Sequence, residues 1–221
     1  KDFQEIGGHD PLYAPQSKED SDIFNRFQLN GINFIQTWEG FVYHMTCRGS
    51  RRNTLDKAKN IYEDSPEWLA QNQRSSRNFV RKWGHFVKHD PLLIPIIPPK
   101  YDIGFIVKNC NSQLLELLEP WCSNILIDDE MQVLTSHYVD KEQKNTLFKL
   151  DERIKSTPFE SLNNEIIVTI DRNTLTQQDY QIIQQLSEII KDSGEIGEFQ
   201  LGNLFISIIQ MNEYQNNLIK L

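Results

Sequence analysis

Three groups of side chains in the first quarter of the chain could do chemistry together. Glu19 and Asp20 open EDSD at 19–22, His44 closes FVYH at 41–44, and Arg48, Arg51 and Arg52 follow within eight residues. A carboxylate at the N-terminus of a helix is held ionised by the helix dipole, the state a general base needs. A neutral imidazole can complete a metal's coordination shell, and guanidinium forks fit phosphate oxygens. Together they would handle a phosphate-bearing ligand and move a proton. Plainer readings stand beside these: a helix-capping cluster, a structural histidine and a solvated basic loop. Asp20 and Asp22 form an Asp-x-Asp, but a metal-chelating pair of that kind belongs at the end of a buried apolar strand. The stretch before it, 11–18, is a loop holding Pro11 and Pro15. Asp20 therefore reads as a base and not as a metal ligand.

The elements that must position these groups are legible in outline. Residues 17–30 read as a helix, with Ser17 as cap, acids in the first turn and Gly31 in the left-handed position after the end. Short strands are expected at 33–37 and 41–44. Ser65 and Pro66 open a second helix carrying Trp68, Leu69, Phe79, Val80, Trp83, Phe86 and Val87 at helical spacing, which is the signature of core packing. That helix is expected to run to Asp90 and Pro91. His85 and His89 would then lie one turn apart, where they could chelate a metal or cap the helix end. Beyond Lys100 the pattern is strand 102–108, helix 112–119 and strand 124–128, then strand 165–171, helix 176–191 and strand 203–210. This order predicts a ferredoxin-like split βαβ domain.

Pro91, Pro95, Pro98 and Pro99 crowd nine residues and make a stiff connector, so the boundary falls at Lys100. The formal charge of −8 divides unevenly across it. Residues 1–100 hold 14 basic and 12 acidic side chains, and residues 101–221 hold 9 and 19. The expected organisation is a portion of an α/β domain at 1–100 and an acidic α+β accessory domain at 101–221. Exposed sheet edges in the latter would suit pairing with a second copy. No apolar run approaches the ~18 residues of a membrane-spanning helix. Three cysteines, Cys47, Cys110 and Cys122, lack metal-type spacing, and a reducing, cytoplasmic setting fits them. Cys47, four residues from Arg51, could be a nucleophile, although a buried thiol is the plainer reading. The basic residues lack interleaved stacking aromatics in an acidic chain, which argues against nucleic-acid binding. Phosphate-binding glycine loops, the Gly-x-Ser-x-Gly elbow and His-Glu-x-x-His are absent.

FQEIGGHDPLY at 3–13, EDSDIFNRFQLNG at 19–31 and FVYH at 41–44, in this order, resemble the C-terminal part of the catalytic domain of a family 2 inverting glycosyltransferase with the GT-A fold. The resemblance covers about the first 50 residues and, more loosely, the stretch to residue 90. It implies that Asp20 is the catalytic base with Glu19 beside it, and that Gly7, Gly8 and Asp10 shape the acceptor side. It further implies that His44 lies by a divalent cation, Mn or Mg, and that Arg48, Arg51 and Arg52 cover the diphosphate. The reaction would be displacement at the anomeric carbon of a nucleotide sugar by a glycan or other hydroxyl acceptor. The family's nucleotide-binding half and its own Asp-x-Asp after an apolar strand are missing, and no Gln-x-x-Arg-Trp motif precedes Trp83. With Lys1 in place of methionine, the expectation is a piece of a larger product that binds donor sugar poorly alone. Two rival readings are a non-catalytic interaction or assembly protein, and a metal-dependent hydrolase using His9, Asp10, Asp20 and His44.

Overall fold

The computed structural model describes residues 1–35, 37–40, 43, 51, 63–158 and 161–221. Of the residues singled out above, His44, Cys47, Arg48 and Arg52 lie outside that set, as does most of the strand expected at 41–44. The described residues form a mixed α/β structure built on one six-stranded sheet, with the helices and a 3₁₀ turn of the N-terminal segment packed beside it.

In the N-terminal segment a single turn, α1 (Asp2–Glu5), leads through Gly7 and Gly8 to a 3₁₀ turn at Pro11–Tyr13 and then to α2 (Glu19–Leu29). Gly31 follows α2 at φ 76°, the left-handed conformation expected of it. Ser17 does not cap the helix. Ser17 and Lys18 both take positive φ, Lys18 holds the cap position without a side-chain bond, and the Ser17 hydroxyl donates to Asn72 Oδ1 at 2.7 Å. No strand forms at Asn33, Phe34, Ile35 or Thr37. α3 (Pro66–Trp83) has the expected N-terminus, with Ser65 Oγ accepting from the Trp68 amide. It ends at Gly84, φ 79°, six residues before Asp90, so His85 and His89 are not on one helical face. Phe86 and Val87 leave the expected stripe for the same reason and are partly exposed.

The sheet strands are β1 (Ile103–Lys108), β2 (Asn124–Ile127), β3 (Ile154–Ser156), β4 (Ile166–Asp171), β5 (Gly197–Leu201) and β6 (Leu204–Ile208), in spatial order 3-2-1-4-6-5. β3, β2, β1 and β4 are mutually parallel, and the β5–β6 hairpin joins β4 antiparallel. This corrects the ferredoxin-like expectation. β1 and β2 hydrogen-bond directly, as do β1 and β4, so no βαβ unit here is split by an intervening antiparallel strand. The edge strands β3 and β5 carry too weak an apolar pattern to be read from the sequence, and they are what turns the order into an open α/β sheet. The connecting helices are α4 (Ser112–Leu118), α5 (Val133–Glu142), α6 (Leu150–Arg153) and α7 (Gln177–Ser193). α7 opens with a full capping box between Thr176 and Asp179.

Alternate strand residues, Phe105, Val107, Ile125, Ile166, Val168 and Ile206 among them, meet Leu115, Leu118, Ile183, Leu186 and Ile190 in one core. Val80 of α3 belongs to that core as well. Packing therefore crosses the proline-rich connector. Arg77 and Arg81 of α3 reach Glu119, Glu142 and Tyr138 across the joint, and Leu218 near the C-terminus packs against Leu12, Tyr13, Phe79 and Trp83.

Candidate functional site

The GGHD turn and the EDSD helix start are brought together, and a buried ionic network does it. Asp22, wholly buried, accepts from Arg26 Nε at 2.8 Å and Trp83 Nε1 at 2.9 Å, lies 2.7 Å from Lys82 Nζ, and takes a longer 3.4 Å bond from the Tyr13 hydroxyl. Arg26, also wholly buried, spends its other nitrogens on the carbonyls of Ile6 at 2.8 Å and Gly8 at 2.6 Å. Those carbonyls can face the guanidinium because Gly7 and Gly8 turn at φ 89° and 79°, conformations that cost an L side chain strain. Asp10 caps the 3₁₀ turn through the Leu12 amide at 2.9 Å and takes a second bond from Lys82 Nζ at 2.8 Å. Burial, with Asp22 and Asp10 adding to it, pushes the Tyr13 phenol well above its ordinary range, so Tyr13 stays a neutral donor.

This network sorts the carboxylates by role. Asp10 and Asp22 have their oxygens committed to cations and amides within the chain, and their work is to fix α2 against the glycine turn. Asp20, one residue from the start of α2, is exposed. Glu19 is half-buried, and its Oε2 is enclosed without a hydrogen-bond partner among the described residues. An enclosed carboxylate oxygen left unpaired is costly.

The other expected site groups do not join this cluster. Arg51 pairs with Asp64 at 2.8 Å and lies over the Trp68 ring, 4.6 Å from its centroid. That contact holds the guanidinium at the start of α3. His9 is exposed and edge-on to Phe3, and of the hydrolase set His9, Asp10, Asp20 and His44 the last lies outside the described residues. Among the described residues no group of three or more His, Cys, Asp and Glu could hold a metal ion. Asp10 and Asp22 both lie against the Lys82 ammonium, at 2.8 and 2.7 Å. His44, the residue that the resemblance sets beside the divalent cation, lies outside the described residues.

The C-terminal edge of the sheet is the other place where an open α/β fold gathers polar groups, at the point where strand order reverses between β1 and β4. Asp128 accepts from the amides of Asn109 at 2.6 Å and Cys110 at 2.9 Å, and Asp171 accepts from Asn109 Nδ2 and the Asn173 amide, each at 2.9 Å. Asp129 accepts from the Thr135 amide at 2.8 Å. These bonds tie the loops to one another. Burial pushes the thiols of Cys110 and Cys122 up to about 12.

Sequence reasoning missed Lys82, Arg26, Tyr13 and Trp83 as partners of Asp22. One of the four left a signal, since Asp22 and Arg26 stand at i,i+4. Compared with known protein families, with curated proteins and with solved structures, the chain matches none of them.

Proposed function

We propose that this chain carries the acceptor-activating portion of an inverting glycosyltransferase of the GT-A type, with Asp20 as general base and Glu19 positioning the acceptor hydroxyl. The observation that carries the reading is the unequal treatment of the four acids Asp10, Glu19, Asp20 and Asp22. Two are consumed in the network that fixes α2, while Asp20 is exposed and the enclosed Glu19 Oε2 has no donor among the described residues. The reacting acceptor hydroxyl would donate to the exposed Asp20, which takes its proton as the oxygen attacks the anomeric carbon of a nucleotide sugar and the nucleoside diphosphate departs. The position of Asp20 at the positive end of α2 favours its ionised form before the transfer. The donor and the divalent cation belong to the reading through the resemblance alone, with His44 as the residue that would lie by the cation and Arg48 and Arg52 by the diphosphate.

The test is Asp20→Asn in the full-length enzyme, assayed for sugar transfer and, by calorimetry, for donor binding. Transfer should fall by about 10²- to 10⁴-fold, the ordinary contribution of a general base, with donor binding retained. Retained turnover would refute the assignment.

A further inference from the structure

Among the described residues the sheet has two edges, β3 and β5, and they are built differently. β3 is three residues long, holds Lys155 at its middle and is followed by Pro158. Shortness, lysine and proline are the devices that keep an edge strand from pairing. β5 runs for five residues, GEFQL, with neither lysine nor proline, and keeps a one-to-one register with β6 without a bulge. The Ile209 amide donates to the Glu165 carbonyl, so Ile209, and with it Ser207 and Phe205, turn their backbone groups towards β4. Leu204, Ile206 and Ile208 then turn theirs towards β5, where they meet Leu201, Phe199 and Gly197. The backbone groups of Glu198 and Gln200 are left pointing away from β6, along the open edge. Both residues are exposed.

The order of residues in β5 suits pairing with itself. About a two-fold axis, an antiparallel pair centred on Phe199 matches all five residues: Glu198 with Gln200, Gly197 with Leu201, and Phe199 with its own copy. A shift by one residue would set one face of the sheet against the other. A shift by two would match only three residues of β5, and in one direction would set Glu198 against Glu198. In the centred register Glu198 and Gln200 form the hydrogen-bonded pairs. Each Glu198 carboxylate then meets a Gln200 side-chain amide, which in the single chain donates to the Gly202 carbonyl at 3.3 Å. The two Phe199 rings meet at the closer, non-hydrogen-bonded position on the α7 side of the sheet. There an apolar cleft of about 100 Å³ has Ile189, Ile190, Phe199, Leu201, Ile206 and Ile208 among its lining residues. Phe199 and Leu201 are half-buried in the single chain, and a second copy would cover them.

We propose that β5 is a two-fold interface, pairing antiparallel about Phe199 with β5 of a second copy of this chain, so that the two sheets become one. This stands apart from the transfer reading, since no residue of β5 belongs to the site assigned to transfer.

The test is sedimentation velocity of the intact chain from about 1 µM to 1 mM, the span of weak to moderate affinity, with amide hydrogen exchange at both ends of the range. A dimer should form as concentration rises. The amides of Glu198 and Gln200 should gain protection with it, whereas that of Phe199, which faces β6, should change little. Gln200→Pro removes an amide that β6 does not use and should abolish the dimer while the fold is kept. Gln200→Lys puts a cation opposite Glu198 and should tighten the dimer about tenfold, and Gln200→Glu puts an acid there and should weaken it about tenfold. Neither asks β5 for a new backbone conformation, so the test holds if the proline variant fails to fold. A monomer throughout the range would overturn the proposal. So would a dimer in which Glu198 and Gln200 gain no protection, or one that Gln200→Lys and Gln200→Glu change alike.

Discussion

Arg81 places Nη2 2.7 Å from Oε2 of Glu119, with both side chains fully buried and 38 residues apart in the chain. The pair joins α3 to the turn after α4. It does not stand alone, since Glu119 also accepts from Arg153 Nε at 2.9 Å and the Tyr138 hydroxyl at 3.0 Å, while Arg81 reaches Glu142 at 2.7 Å. Removing the carboxylate in Glu119→Ala would leave Arg81 and Arg153 buried without it, a loss of about 3–5 kcal/mol. Urea unfolding of the variant against the parent measures it. A change below about 1 kcal/mol would show that water or Glu142 compensates in full.

The same carboxylate gives the fold a pH signature. Burial alone would raise Glu119, but Arg81, Arg153 and Arg77 outweigh it and hold the group down at about 2, against an ordinary 4.5. A folded-state value below the unfolded one means that the stabilisation is complete above about 4.5 and is lost as pH falls towards 2. The urea midpoint of the parent should therefore drop between about pH 5 and pH 3. Glu119→Gln should start lower and show less of that drop. Parallel pH profiles for the two proteins would remove Glu119 from the account.

Asp20 and Asp22 are two residues apart in sequence and opposite in environment, so asparagine at each separates chemistry from architecture. Asp22→Asn takes the charge from a buried carboxylate that holds Arg26 and Lys82, and should cost about 3 kcal/mol or more. Asp20→Asn touches an exposed side chain in the first turn of α2 and should cost under about 1 kcal/mol, the size of a dipole contribution. Thermal unfolding of the two variants checks the contrast. Equal losses would mean that Asp20 is structural too, which removes the ground for treating it as a base.

The regions of the molecule legible from sequence are those governed by local rules. The starts of α3 and α7, the left-handed Gly31 and the strands β1, β2, β4 and β6 follow from caps, glycine and apolar periodicity. Strand direction is not local. β1 reaches β2 through α4, which the periodicity shows, but the return of β4 to the other side of β1 comes after α5, α6 and the three-residue β3, which lie in the stretch 129–164, whose polar pattern has no clear period. The site divides the same way. EDSD announces carboxylates at a helix start, but which of them is consumed depends on Lys82 and Trp83 of α3, the latter 61 residues beyond Asp22. The end of α3 escapes the periodicity for a related reason: Phe86 and Val87 continue the apolar spacing past a glycine that stops the helix.

Gly104 in β1 supplies a test of the loop that enters β4. A methyl group there would come within 2.5 Å of Asn164 Oδ1 and 3.0 Å of Leu162 Cδ1, closer than van der Waals contact permits. Asn164 cannot give way freely, since it is buried and its Nδ2 donates to Asp102 at 2.6 Å and Asn124 at 3.0 Å, linking the starts of β1, β2 and β4. Gly104→Ala should thus cost about 1–3 kcal/mol through overpacking. Asn164→Gly removes the clashing side chain but also its two bonds, and costs stability on its own. Because one variant makes the room that the other needs, the double variant should be less destabilised than the sum of the two, with a coupling of about 1 kcal/mol in a urea-unfolding cycle. Simple additivity would place the added methyl somewhere other than against Asn164.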